Sequence, residues 1–86
     1  MTLAELRAAL DALNLPDDTL VVLAKDGEGN GYSPLVTADH AMYAANTTWS
    51  GDHYMTDEQR QAQPDPDDYS QAPDDAVHAV FLWPTN

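Results

Sequence analysis

Residues 19–38 read TLVVLAK (19–25), DGEGNG (26–31) and YSPLVTA (32–38), and the fold turns on this stretch. The first piece is β-branched and apolar, too short for a helix, and flanked by turn residues, which is how a strand reads. DGEGNG holds three of the chain's four glycines. Glycine supplies the positive backbone dihedrals of a tight reversal, so a hairpin is expected here. YSPLVTA is then the returning strand. Pro34 removes one ladder donor and favours an edge or a bulge there. The more apolar strands, 19–25 and 76–83, are expected at the centre of the sheet.

Upstream, Thr2 and Glu5 have the spacing of a capping box and set a helix start at Leu3. Leu3, Leu6, Leu10 and Leu13 recur at three- and four-residue steps, with Glu5, Arg7 and Asp11 elsewhere, as in an amphipathic helix over 3–13 whose leucine face packs on a sheet. Asn14 and Pro16 end it. Downstream, residues 40–45 suit a third strand, and TTWSGDHY (47–54) an ordered loop or short strand. Residues 52–75 hold eight acids, one arginine and three prolines. That composition predicts a loop, with one helical turn near 56–61. AVHAVFLW (76–83) is the last strand, with Val77, Phe81 and Trp83 on one face and His78, Val80 and Leu82 on the other; Pro84 ends it. The expected architecture is α+β: a single small domain over 1–86, with one N-terminal helix packed on a three- or four-stranded antiparallel sheet.

Composition narrows the function. The chain has 86 residues, no cysteine, three basic and fifteen acidic side chains, and a formal net charge of −12. Disulfides, thiolate metal sites and cysteine nucleophiles are thereby excluded. Direct binding to nucleic acid or anionic lipid is disfavoured, because phosphate neutralisation needs lysine and arginine. The opening MTLAELRAALDALNL interleaves charges with its leucines, unlike a secretory apolar core, and no apolar run has the length of a membrane span. A cytoplasmic location is expected.

Few motifs carry chemistry. Asp26 to Gly31 matches the first half of a calcium loop, but position twelve is Thr37 rather than a bidentate glutamate, and the flanks read as strands. A hairpin accounts for the same residues. His40, His53 and His78 lie on three different predicted elements without metal-ligand spacing, so no metal or cofactor is expected. Ser33, Ser50 and Ser70 lack a nucleophile-elbow setting, and no glycine-rich phosphate loop precedes a helix, so no enzymatic activity is expected.

Most aromatics, Tyr32, Tyr43, Tyr54, Phe81 and Trp83 among them, are expected to fill the core. Trp49 stands apart among small polar residues, either folded back over the sheet or presented to a partner as an anchor. Acid is the dominant feature, with −7 of the net charge in residues 52–75 and −5 in residues 1–51. It serves solubility alone, as in an accessory or structural protein, or it offers a polyanion to a protein that grips phosphates, as a DNA mimic does. Mimicry requires the carboxylates to be held in order.

The stretch EGNGYSPL (28–35), with TWSG (48–51) and LWP (82–84), resembles a group of small acidic proteins encoded by tailed phages and prophages, and the likeness covers most of the chain. No activity is attached to that group, so it implies no catalytic or ligand residue. It implies a context in which small acidic proteins engage and inhibit a host protein. The expected function is therefore binding to a basic host or phage protein, in the host cytoplasm, through Trp49, Asp52, Asp57, Glu58, Asp65, Asp67, Asp68, Asp74 and Asp75.

Overall fold

A computed structural model describes residues 1–85. The fold is α+β, an N-terminal helix and a four-stranded antiparallel sheet. In chain order the elements are α1 (Leu3–Leu13), β1 (Val22–Ala24), β2 (Tyr32–Ala45), β3 (Gly51–Tyr54), α2 (Asp57–Gln61), a 3-10 turn (Pro66–Asp68) and β4 (Val77–Pro84). Contacts divide the chain into two compact units, Met1–Thr37 with the end of the chain from Leu82, and Ala38–Phe81. No helix among the described residues is long and apolar enough to cross a membrane.

In the first unit, α1 begins with the expected reciprocal cap: the Glu5 N–H donates to Thr2 Oγ1 and the Thr2 N–H to Glu5 Oε1. Those bonds hold the Glu5 carboxyl below the usual carboxylate range, chiefly through the Thr2 backbone, then its hydroxyl, with help from the chain's amino terminus. The helix stops at Asn14, whose left-handed backbone (φ 50°) closes it. Leu6 is half-buried, while Leu3, Leu10 and Leu13 remain exposed.

The glycine-rich hairpin forms as expected. The Lys25 N–H donates to the Gly31 carbonyl, and Gly29 takes a positive φ of 73°. Asp26 organises the loop by accepting from the Glu28 and Asn30 N–H groups and from the Asn30 side-chain amide. The Asn30 bonds, backbone first, hold its carboxyl below the usual range. Val22, Leu23 and Ala24 pair with Pro34, Ser33 and Tyr32.

Two expectations about the sheet are corrected. The 19–25 segment forms only the three-residue strand β1, at the end of the strand order. The centre is β2, which fuses the expected strands 32–38 and 40–45 into 14 residues and pairs with every other strand. Pro34 does not bar this. Its carbonyl still accepts from the Thr85 N–H (3.0 Å) and hydroxyl (3.2 Å), so the missing donor falls where β4 ends. A long strand can also give different stretches of its edges to different neighbours, which the 19–25 segment cannot.

In the second unit, β2 turns through 46–50 into β3, with Met42, Tyr43, Ala44 and Ala45 opposite Tyr54, His53, Asp52 and Gly51. Ala41, 2% exposed, is its one fully buried apolar residue, and Phe81 packs edge-on to the His53 ring (centroids 4.7 Å) with Tyr43 at 6.4 Å. The expectation that most aromatics fill a core holds for Tyr43, Tyr54 and Phe81, which are half-buried. Tyr32 and Trp83 remain exposed.

Candidate functional site

The turn between β2 and β3 uses its small polar residues on itself. The Asn46 and Thr47 N–H groups donate to the Ser50 carbonyl at 2.9 and 3.1 Å, Thr47 Oγ1 lies 2.8 Å from Ser50 Oγ, and the Trp49 N–H donates to Thr47 Oγ1. The indole has no place in that network and points outward, 84% exposed. Of the two readings of Trp49, the geometry excludes folding back over the sheet. Gly51 lets the turn close: a Cβ there would stand 2.5 Å from the Ala44 carbonyl oxygen and from the Tyr43 ring. Asp52, the next residue, accepts from the Asn46 side-chain amide at 3.1 Å.

The acidic stretch is built on a series of short turns rather than on one loop. Residues 52–54 belong to β3. Thr56 caps α2, accepting from the Gln59 N–H while the Gln59 side chain accepts from the Thr56 N–H, and Asp57 and Glu58 occupy the first turn, where the helix dipole favours carboxylates. The same Gln59 donates through Nε2 to the His40 carbonyl on β2 at 2.8 Å, which ties α2 to the sheet. Arg60 donates through Nε to the Tyr69 carbonyl at 3.0 Å and approaches Asp67 at 3.7 Å, bracing the 3-10 turn that carries Asp67 and Asp68. Asp65 precedes that turn and accepts from the Asp68 N–H through its carbonyl. Asp74 and Asp75 sit at the corner of a turn closed by the Ala76 N–H on the Pro73 carbonyl.

All eight acids, like Trp49, belong to the Ala38–Phe81 unit and are exposed. Nine acidic side chains stand there against one arginine, a net −8. Arg60 is largely buried and committed to the bonds above, so it leaves most of that charge uncompensated. With Asp67 in water, its contact with Arg60 at 3.7 Å adds little of its own. The arrangement can attract and orient a cationic surface, and Trp49 exposes an apolar ring on the same unit.

The histidines are arranged as their spacing does not suggest. His40 and His78, on β2 and β4, meet with Nδ1 and Nε2 2.8 Å apart and rings edge to face, whereas His53 meets the Phe81 ring edge-on. No group of three or more metal-ligating side chains gathers among the described residues. In the first unit an open hollow of about 360 Å³, lined by Leu23, Ala24, Lys25, Ser33, Leu82 and Pro84, has Lys25 as its one charged group, so its walls contain no acid–base pair.

Two features escaped the sequence reading. The second capping box, Thr56 with Gln59 three residues on, was there to be read and would have pointed to order within the acidic stretch. The His40–His78 pair had no local signal, since the two are 38 positions apart and meet only through the β2–β4 pairing. In comparisons with known proteins, no family model, curated protein or solved structure matches the chain.

Proposed function

We propose that this chain is a small acidic binding protein whose Ala38–Phe81 unit engages a basic, nucleic-acid-binding protein and blocks its access to nucleic acid. The observation that carries this reading is the outward Trp49 on a unit of net −8 whose carboxylates are set on hydrogen-bonded turns. An exposed tryptophan is a poor surface residue for a solubilising domain and a common anchor at interfaces. Carboxylates fixed by caps and turns lose less entropy on binding than those of a disordered tail, so they favour recognition over solvation. A duplex presents about one charge per 1.7 Å of its axis, and a protein built to grip that density is the matching partner. The phage-like resemblance suggests a bacterial cytoplasm as the setting.

The test is capture from bacterial lysate on the immobilised full chain at low salt, in parallel with Trp49→Ala and with a competing DNA duplex. The reading expects a basic nucleic-acid-binding protein that the duplex displaces and the Trp49→Ala column loses. Retention of the same proteins by Trp49→Ala, undisturbed by duplex, would overturn it.

A further inference from the structure

We infer that His40 and His78 form a two-imidazole site for a late first-row divalent metal ion, with copper(II) bound tightest, independent of the partner proposed for Trp49 and the carboxylates. The two residues come from different strands, β2 and β4, and both lie within the Ala38–Phe81 unit. His40 Nδ1 and His78 Nε2 stand 2.8 Å apart although 38 positions separate the residues in sequence.

Stability alone is a weak reason for this meeting. Both rings are exposed, and a neutral hydrogen bond there exchanges a water partner for a protein one at little gain. Chelation matches the spacing. Two imidazole nitrogens bonded to one ion at about 2.0 Å and at a right angle lie roughly 2.8 Å apart, whereas the tetrahedral angle needs about 3.3 Å. The observed separation is the cis edge of a tetragonal site, the geometry of copper(II) and nickel(II).

The rings meet edge to face, with centroids 4.9 Å apart and planes at 60°. To share an ion, each lone pair swings from the other nitrogen toward the metal by roughly 45°, half of what remains in a right-angled chelate triangle. Exposed side chains have room for that swing. The metal takes the place of the hydrogen bond. The proton that one ring donates moves to that ring's other nitrogen, which leaves N–H on His40 Nε2 and His78 Nδ1 and both facing nitrogens open to ligate.

The backbone holds the pair ready. The His40 N–H donates to Asp39 Oδ1 at 2.7 Å and its carbonyl accepts from Gln59 Nε2 at 2.8 Å, while β4 carries His78 to β2 by strand pairing. Ligands positioned by a sheet lose less freedom on binding than ligands on a loop. The unit's net charge of −8 draws divalent cations toward it. Carboxylates suit calcium and magnesium; imidazoles select the late first-row ions, with copper(II) at the head of their affinity order. Water completes the coordination at so exposed a site.

Titration of the metal-free full chain with copper(II) chloride tests this, read by electron paramagnetic resonance and by the histidine ring-proton signals in nuclear magnetic resonance. The expected result is a copper signal split by two nitrogens, with the His40 and His78 ring signals broadened before those of His53. Because both positions are exposed, His40→Gln and His78→Gln should keep the wild-type circular dichroism spectrum. Each should weaken copper binding at least about tenfold, and zinc(II) should bind the wild type more weakly than copper(II). Splitting by one nitrogen or none, as carboxylates alone would give, broadening led by His53, or copper affinity unchanged in both variants would overturn the inference.

Discussion

Gly51→Ala links the fold to the presentation of Trp49. The added Cβ would lie 2.5 Å from the Ala44 carbonyl oxygen and from the end of the Tyr43 ring. The ring can swing aside, but the carbonyl belongs to the partner strand at the Ala44–Asp52 and Ala45–Gly51 pairs and moves only if the ladder moves. Overpacking of this kind costs about 1–3 kcal/mol. A domain of this length has roughly 4–13 kcal/mol of total stability. With about 4–8 °C of melting temperature per kcal/mol for a small domain, the midpoint should fall by about 5–20 °C. Thermal unfolding followed by far-ultraviolet circular dichroism reads the midpoint, and amide exchange at residues 45 and 51–54 reads the ladder locally. An unchanged midpoint with unchanged protection would refute the reasoning, because the contact would then have relaxed at no cost.

Trp49→Ala should leave the melting temperature within about 1 °C of wild type, since an exposed side chain contributes little to folding, while its removal costs the proposed complex at least about tenfold in affinity; calorimetry and binding titration check the two. Gln59→Ala removes the side-chain half of the α2 cap, the acceptor for the Thr56 N–H, together with the bond to the His40 carbonyl. It should cost about 1–2 kcal/mol and speed amide exchange across 56–62 without disturbing α1. Glu5 and Asp26 are both harder to protonate in the folded chain than in the unfolded one. Their stabilisation is therefore complete above the ordinary carboxylate range and is lost as pH falls through their depressed values. Melting temperatures measured from neutral to acidic pH should fall less steeply in Glu5→Gln and Asp26→Asn than in wild type.

The local features were the legible ones. The Thr2–Glu5 box, the leucine spacing over 3–13, the glycine loop at 26–31 and the apolar run of β4 each act within about ten residues and formed nearly where expected. Strand order did not follow from apolarity, because β2 is central through its length and not its hydropathy, and Pro34 placed its missing donor where β4 ends. Periodicity identified the leucine face of α1 and assigned it to the sheet, yet Leu3, Leu10 and Leu13 of that face remain exposed. At the candidate site, composition located the carboxylates. Their support comes from Gln59 reaching His40 and Arg60 reaching Tyr69, contacts that exist only once the strands are paired.

The central claim, that the Ala38–Phe81 unit holds a basic partner through its carboxylates, is tested most directly by the salt dependence of that complex. Affinity should be measured against salt concentration for wild type and for a variant with Asp57, Glu58, Asp67 and Asp68 changed to their amides. Exposed charges are screened over a Debye length of about 10 Å at 0.1 M salt. The account predicts that wild-type affinity falls steadily with salt and that the amide variant binds more weakly, with a shallower slope. Equal slopes for the two proteins, or wild-type binding indifferent to salt, would contradict it.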